Sequence, residues 1–128
     1  YSGNAIACAA ANATLDLFDR TDVLGKNRVL SNHIYKNFSS FKNHPNVGDL
    51  RQTGMITAIE LVKDKKTKKT YDWKERRGIR AYKYGLDNNV ILRPLGNVIY
   101  FMPPYVINKK EIDHVSSVVE GAIEIATK

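Results

Sequence analysis

The apolar residues of this chain change their spacing near Pro45 and Gly48, and this change constrains the fold more than any other feature. Before it, apolar residues recur three or four positions apart, as they do along one face of a helix. After it, residues 49–62 are rich in β-branched residues and form a segment that is short for a helix. The chain therefore combines helices with strands, and its fold class must accommodate both.

Two helices are predicted before the change. The first has its apolar face within residues 6–17, and Ser2 or Asn4 is a suitable capping residue at its start. The second follows a cap signal at Thr21 and Asp22 and continues to about Lys42. Its apolar face carries Leu30, Ile34, Phe38 and Phe41.

Residues 49–62 predict either two strand segments around a kink at Thr53 and Gly54, or one bent strand. A polar loop follows, and then a helix over about residues 73–87. Its apolar face is predicted to carry Ile79, Tyr82 and Leu86, and Asn88 with Asn89 is typical of a left-handed helix end.

The stretch 91–105 reads ILRPLGNVIYFMPPY, and its centre predicts a β-hairpin because Gly96 and Asn97 tolerate a positive φ. Asn108 and Glu111 then resemble a capping box at the start of a final amphipathic helix. The order α-α-β-β-α-β-β-α predicts an α+β fold, a small antiparallel sheet covered by helices. The expected core residues are Ile56, Ile59, Leu61, Ile91, Ile99, Phe101, Val115 and Val119.

The composition narrows the functional classes. The net charge of +7 is concentrated in KDKKTKK (63–69) and WKERRGIR (73–80), which predict a solvated loop and a charged helix face. No zinc-finger spacing or RNA-binding aromatic motif accompanies this charge, so we expect no nucleic-acid partner. No apolar run approaches the roughly 20 residues of a membrane helix, and no signal peptide is visible. With Cys8 as the single cysteine, no internal disulfide can form, and we expect a cytoplasmic protein without a metal site.

Read without reference to any family, the chain offers no complete catalytic set. Its most distinctive polar residue is Arg93, a single cation at the start of an apolar segment, with Tyr100 across the predicted hairpin. An arginine in this position is suited to hold a carboxylate through two parallel hydrogen bonds. The alternative is an internal salt bridge with one of the chain's own acids, such as Glu60 or Asp49.

Three segments carry a resemblance to a known family: YSGNAIACAAANATLDL, RQTGMITAIELVKDKKTKKTYDWKERRG and VILRPLGNVIYFMPPYVI. Together they resemble the C-terminal part of class III aminotransferases, which depend on pyridoxal 5′-phosphate. The resemblance covers essentially the whole chain. Within that family, LRPLGNVIYFMPPY and YDWKERRG favour the biotin-pathway members over those that act on ornithine, aminobutyrate or β-alanine.

The resemblance implies the C-terminal small domain of a fold-type I aminotransferase. Residues 1–128 would be one domain of a longer polypeptide, with residues 1–20 as a helix that leads from its large domain. The whole enzyme would be a homodimer that acts on small molecules and transfers an amino group from S-adenosylmethionine to 8-amino-7-oxononanoate. The product would be 7,8-diaminononanoate.

The same resemblance implies where the chemistry lies. The lysine that bonds to the cofactor, and the cofactor's phosphate and ring partners, lie upstream of the matching segment, so no catalytic residue is expected here. Arg93 matches the arginine that binds the substrate carboxylate, and Tyr100 matches a tyrosine near the same site. Tyr1 and Ser2 border the cofactor motif as possible neighbours of the phosphate.

Two other functions stay open at this point. The chain could belong to another class III aminotransferase with a different substrate. Alternatively, it could be a basic binding module that acts alone on a nucleic acid or an acidic protein. Salt-sensitive affinity of the 128-residue chain for an oligonucleotide would favour the module.

Overall fold

The computed structural model describes residues 2–128, and its elements follow the predicted order. Residue Tyr1, predicted to neighbour the cofactor phosphate, lies outside the described residues. The helices are α1 (Ala5–Thr21), α2 (Val23–Phe38), α3 (Arg77–Asp87) and α4 (Lys109–Thr127). The strands are β1 (Val47–Thr53), β2 (Ile56–Leu61), β3 (Arg93–Leu95) and β4 (Val98–Phe101).

The four strands form one antiparallel sheet in the order β1-β2-β4-β3. Residues 49–62 make two strands rather than one bent strand, because the chain reverses at Gly54, whose φ is +55°. Gly96, with a φ of +60°, makes the second reversal, between β3 and β4. Both glycines adopt the left-handed conformation, which costs a residue with a side chain more than it costs glycine. The predicted α+β class and the hairpin at Gly96 are confirmed.

One face of the sheet is buried and the other is open. Along β2 the side chains of Thr57, Ile59 and Leu61 are buried, whereas those between them are more exposed, as the two-residue period of a strand requires. The remaining core residues come mainly from α2, α4 and the neighbouring strands, among them Phe38, Ile34, Leu92, Ile99, Ile112 and Ile123.

Two of the predicted core residues are wrong. Ile56 is 45% exposed because the alternation along β2 places it on the open face. Ile91 is 71% exposed because it precedes β3, where the neighbouring Leu92 takes the buried position. The other six expected core residues, which are Ile59, Leu61, Ile99, Phe101, Val115 and Val119, are buried.

Helix α3 differs from the prediction in its start and in its buried face. A short 3-10 turn at Trp73–Glu75 precedes it, and the helix begins at Arg77 after a left-handed residue, Arg76. Its buried residues are Gly78, Ala81 and Gly85, whereas Ile79 and Leu86, predicted to face the core, are 38% and 45% exposed. The small residues allow the helix backbone to lie directly on its neighbours, which an apolar pattern does not reveal.

The remaining helix boundaries follow local capping. Asn4 accepts a hydrogen bond from the Ala7 amide at the start of α1, and Asp22 accepts one from Gly25 at the start of α2. The predicted capping box at Asn108 is present in α4. Helix α2 ends earlier than predicted, at Phe38, and a 3-10 turn at Ser39–Asn43 replaces its last turn.

Helix α1 has no buried residue, although its apolar stripe was visible in the sequence. Ile6 is 83% exposed and Leu17 is 54% exposed. Within residues 2–128, no helix is both long and apolar enough to cross a membrane.

Candidate functional site

Arg93 lies at the start of the edge strand β3, directly opposite Tyr100 in the register of the hairpin. The arginine is exposed and the tyrosine is half-buried. Because paired residues of an antiparallel ladder project to the same side, both side chains lie on the open face of the sheet. The hairpin therefore brings together the two residues that the sequence nominated for substrate binding.

The salt bridge predicted as an alternative for Arg93 is absent. Among the residues that the structure describes, no carboxylate oxygen lies within 4.0 Å of the Arg93 guanidinium. Both suggested partners are bound by another arginine: Arg51 Nη1 lies 2.8 Å from Asp49 Oδ2 and 3.0 Å from Glu60 Oε2. The hydrogen bond from Arg51 is also the main reason that the pKa of Asp49 is lowered.

Arg93 and Tyr100 both line two cavities. The larger cavity has a volume of about 700 Å³ and is bounded on its far side by α4 and the segment that precedes it. The other, of about 660 Å³, is bounded by Ile79, Tyr82 and Leu95. Ligand cavities in proteins are commonly of about this size and are mainly apolar, with a few polar groups that orient the ligand.

Two polar side chains of the larger cavity already form hydrogen bonds within the chain. Glu111 accepts a hydrogen bond from the Asn108 amide, 2.8 Å away, as half of the capping box. His114 Nε2 lies 3.2 Å from the carbonyl oxygen of Asn88, to which it donates. Two cations line this cavity, Arg93 and Lys110, and neither lies within 4.0 Å of a carboxylate among the described residues. Of the two, Arg93 is the one positioned on a strand.

Chemically, this arrangement suits the recognition of a carboxylate. A guanidinium presents a planar fork of donors that matches the two oxygens of a carboxylate, and the pairing strengthens when water is excluded. Apolar side chains around the arginine, including Ile91, Met102 and Pro104, favour a ligand with an aliphatic body.

A second polar cluster, which the sequence reading missed, anchors the hairpin that carries Arg93. The Asn97 side chain donates to the Tyr71 carbonyl oxygen at 2.9 Å, and the buried Tyr71 ring lies 4.5 Å from the Arg77 guanidinium. Arg77 also binds Glu75 Oε2, at 2.6 Å from Nη2, and this hydrogen bond is the main cause of the lowered pKa of Glu75. Burial raises the pKa of Tyr71. The segment YDWKERRG contains three of these residues, but its pattern does not show that they converge.

The basic loop is folded against the protein. Lys65 Nζ donates to the His44 carbonyl oxygen at 3.2 Å and to the Lys42 carbonyl oxygen, and Lys68 Nζ donates to the Gly48 carbonyl oxygen. Two of the lysines that suggested a basic binding module therefore bind backbone oxygens of this chain. Within residues 2–128, no three histidine, cysteine, aspartate or glutamate side chains gather as a metal site.

Comparison with known proteins identifies the family. The family model described as aminotransferase class-III matches residues 1–123. The chain belongs to this family. The resemblance predicted from the quoted motifs is confirmed.

Two of the most similar relatives share one name. The chain is 41% identical to the adenosylmethionine-8-amino-7-oxononanoate aminotransferase of Geobacter sulfurreducens, over 99% of this chain and 28% of that protein. It is 40% identical to the enzyme of that name from Helicobacter pylori, over 98% of this chain and 27% of that protein. The chain thus spans about a quarter of the length of these relatives.

The fold agrees with solved class III structures. The crystal structure of adenosylmethionine-8-amino-7-oxononanoate aminotransferase from Methanocaldococcus jannaschii superposes with a TM-score of 0.88 and 36% identity, covering 91% of this chain and 27% of that one. A transaminase obtained by ancestral reconstruction superposes with a TM-score of 0.90 and 30% identity, over 97% and 28% of the two chains.

Class III aminotransferases use pyridoxal 5′-phosphate, and the residues of this chain can be tested against its needs. Such a site requires a lysine for covalent attachment and a carboxylate beside the pyridine nitrogen. In the larger Arg93 cavity, the lysine is Lys110 and the carboxylate is Glu111, which already caps α4. Ser2 is exposed and lines neither cavity. The residues that line the two Arg93 cavities therefore do not fit a complete cofactor site.

Proposed function

We propose that this chain is the C-terminal domain of a longer pyridoxal-phosphate-dependent transaminase of biotin biosynthesis, with residues 1–20 leading from its large domain. The whole enzyme would move an amino group from S-adenosylmethionine to 8-amino-7-oxononanoate and give 7,8-diaminononanoate. The names of the relatives from Geobacter sulfurreducens and Helicobacter pylori support this assignment. When bound, the cofactor supplies the electron sink for amino transfer, and this domain contributes to binding the substrate.

Within that enzyme, we assign Arg93 the role of binding the substrate carboxylate. The observation that carries this assignment is that Arg93 lines two largely apolar cavities and, among the described residues, contacts no carboxylate. Asp49 and Glu60, the acids suggested as its partners, are bound by Arg51. A permanent cation beside apolar cavities gains most from a ligand that brings a carboxylate. The Tyr100 hydroxyl, on the paired strand, would provide a further hydrogen bond at the same end of the ligand.

The apolar residues beside Arg93 suit the rest of this substrate. An oxononanoate carries its carboxylate at one end of a methylene chain. Ile91, Met102 and Pro104 line the larger cavity next to Arg93 and offer surface on which such a chain can be buried. The carboxylate would then fix one end of the substrate and place its keto group at a set distance from Arg93.

Two further properties belong to the same proposal. The whole enzyme is a homodimer, as its membership of the class III family suggests. It acts on small molecules in the cytoplasm, without nucleic acid or membrane. Sedimentation of the full-length protein would test the dimer, because a monomeric active species would contradict it.

The test is to replace Arg93 in the full-length enzyme. Arg93→Ala is expected to remove about 2–4 kcal/mol of transition-state stabilisation for 8-amino-7-oxononanoate. This loss lowers kcat/KM for that substrate roughly thirty- to a thousand-fold. Arg93→Lys should recover only part of the loss, because an ammonium group cannot reproduce the planar fork. Both variants should fold, since the side chain is exposed and forms no internal ion pair in residues 2–128.

Arg51→Ala is the matched control, because Arg51 is an exposed arginine on the same open face that is already paired with two acids. It should leave kcat/KM within about twofold. S-adenosylmethionine also has a carboxylate, so single-turnover measurements of each half-reaction should show whether Arg93 serves one substrate or both. If Arg93→Ala left both half-reactions within about twofold of the parent, the assignment of Arg93 would be wrong.

A further inference from the structure

The strand that carries Arg93 has few hydrogen-bonding partners of its own. β3 has three residues, lies at the edge of the sheet and pairs only with β4. Hydrogen bonds to a single neighbouring strand hold an edge strand this short in place only weakly. The position of Arg93 must therefore depend on what β3 packs against, and that element is α3.

Just before β3, the chain lies against the backbone of α3 at Gly85. A Cβ added to Gly85 would be 2.7 Å from the Val90 carbonyl oxygen and 3.1 Å from Leu92 Cγ. A distance of 2.7 Å is shorter than the contacts that Cβ atoms make in real proteins. The atom it would contact belongs to the backbone, which has little freedom to move. Leu92, which immediately precedes Arg93, is fully buried at this contact.

Just after Arg93, the chain touches α3 again at Gly78. A Cβ there would overlap the Gly96 carbonyl oxygen and would lie 2.7 Å from Pro94 Cβ. Gly78 and Gly85 are about two helical turns apart and share one face of α3. The chain on both sides of Arg93 is thus in direct contact with glycine backbone.

The hairpin turn has a third attachment, through Asn97. Its side chain donates to the Tyr71 carbonyl oxygen at 2.9 Å, and its own carbonyl oxygen accepts a hydrogen bond of 2.8 Å from the Leu61 amide. The bond from Leu61 joins the turn to β2, and the bond to Tyr71 joins it to the loop before α3. The two glycines instead fix how closely β3 approaches α3.

We propose that Gly78 and Gly85 are positioning residues for substrate binding, because their missing side chains set the distance between β3 and α3 and so the place of the Arg93 guanidinium. This inference rests on the proposed role of Arg93. A Cβ at either position would push one end of β3 away from α3. A displacement of this kind at a binding group can cost up to about a hundredfold in rate.

The experiment compares two substrates of the full-length enzyme, 8-amino-7-oxononanoate and its methyl ester, which lacks the negative charge. The measured quantity is the ratio of kcat/KM for the acid to kcat/KM for the ester. Gly78→Ala and Gly85→Ala are expected to lower this ratio by about 10- to 100-fold. A loss of stability alone lowers both kcat/KM values together and leaves the ratio unchanged.

Gly121→Ala is the matched control. Gly121 is also a helical glycine with little space for a side chain. An added Cβ there would lie 2.6 Å from Cζ of the Tyr84 ring, so it would contact that side chain and not β3. Its acid-to-ester ratio should stay within about twofold of the parent, even if its melting temperature falls as much as that of the other two variants.

The outcomes separate the two proposals. If Arg93→Ala leaves the ratio unchanged, the role of Arg93 is wrong and the positioning inference fails with it. If Arg93→Ala lowers the ratio and both glycine variants keep it, only the positioning inference is overturned. If neither glycine variant folds, Pro94→Gly decides, because it changes the same contact from the strand side by removing the Cβ that faces Gly78. A lowered ratio supports positioning, and an unchanged one overturns it.

Discussion

Replacing Arg77 with alanine should destabilise this domain far more than replacing Arg51, although both arginines pair with carboxylates. The Arg77 side chain is only 11% exposed, whereas that of Arg51 is 53% exposed. Besides Glu75, Arg77 donates to the Ala126 carbonyl oxygen at 3.0 Å and lies over the Tyr71 ring at 4.5 Å. Arg77 therefore joins the start of α3 to the end of α4 and to the loop that precedes α3.

The expected loss follows from those two contacts. A hydrogen bond that involves a charged donor contributes about 1.5–3 kcal/mol, and a largely desolvated cation–π contact about 0.5–2 kcal/mol. Since such contributions are not fully additive, Arg77→Ala should lower the free energy of unfolding by about 2–4 kcal/mol. Arg51→Ala removes only exposed ion pairs and should cost about 0.5 kcal/mol or less.

Urea unfolding of the 128-residue chain at pH 7, followed by circular dichroism, would measure both losses. Arg77→Lys is an informative third variant, because it keeps the charge and removes the planar group that stacks on Tyr71. The unfolding free energy that Arg77→Lys loses should lie between the losses of Arg77→Ala and Arg51→Ala. Equal losses for Arg77→Ala and Arg51→Ala would refute the argument that burial and the Ala126 and Tyr71 contacts decide the outcome.

Three further predictions concern the same chain. The pKa of Glu75 is lowered chiefly by the hydrogen bond from Arg77. The stability that this pair adds is therefore fully present when the pH is above the ordinary glutamate pKa of 4.5. It is lost as the pH falls through the lowered pKa of Glu75. The difference in unfolding free energy between the parent and Glu75→Gln should accordingly shrink in acid, and a difference independent of pH would contradict this. The 128-residue chain should unfold in one cooperative thermal transition, because its sheet and covering helices share one core; a flat melt would speak against an independent domain. With added pyridoxal 5′-phosphate, the chain should neither transaminate nor form a specific adduct that borohydride traps, and mass spectrometry that found one lysine modified stoichiometrically would show a cofactor site in this chain.

The elements that the sequence predicted well are those with local signals. Asn4, Asp22 and Asn108 cap their helices through side-chain contacts within three residues, so the sequence alone contains both partners. The turn at Gly96 is equally local, because its positive φ favours glycine whatever surrounds it.

The buried face of α3 could not be predicted in the same way. Apolar periodicity points to large side chains, and it selected Ile79 and Leu86, which are partly exposed. The face that packs is made by Gly78 and Gly85, whose contribution is the absence of a side chain. Their role depends on how closely β3 approaches the helix, and that distance is a property of the assembled fold.

Helix α1 shows a related limit. Its sequence identifies an apolar stripe that includes Ile6 and Leu17, and both are largely exposed among residues 2–128. A hydrophobic pattern shows which side of a helix is apolar, but it contains no information about what lies against that side.

Strand order decides which of Arg51 and Arg93 binds Asp49 and Glu60. The sequence contains Arg51 and Arg93 with Asp49 and Glu60, and residue types alone allow either arginine to take the acids. The order β1-β2-β4-β3 decides between them, because Asp49 and Glu60 pair across β1 and β2 while Arg93 lies on the far edge of the sheet. Arg51 shares β1 with Asp49 and reaches Glu60 across one ladder, so it binds both acids. The same topology that satisfies Arg51 separates Arg93 from these acids, and in the proposed function this separation leaves its guanidinium available to a substrate carboxylate.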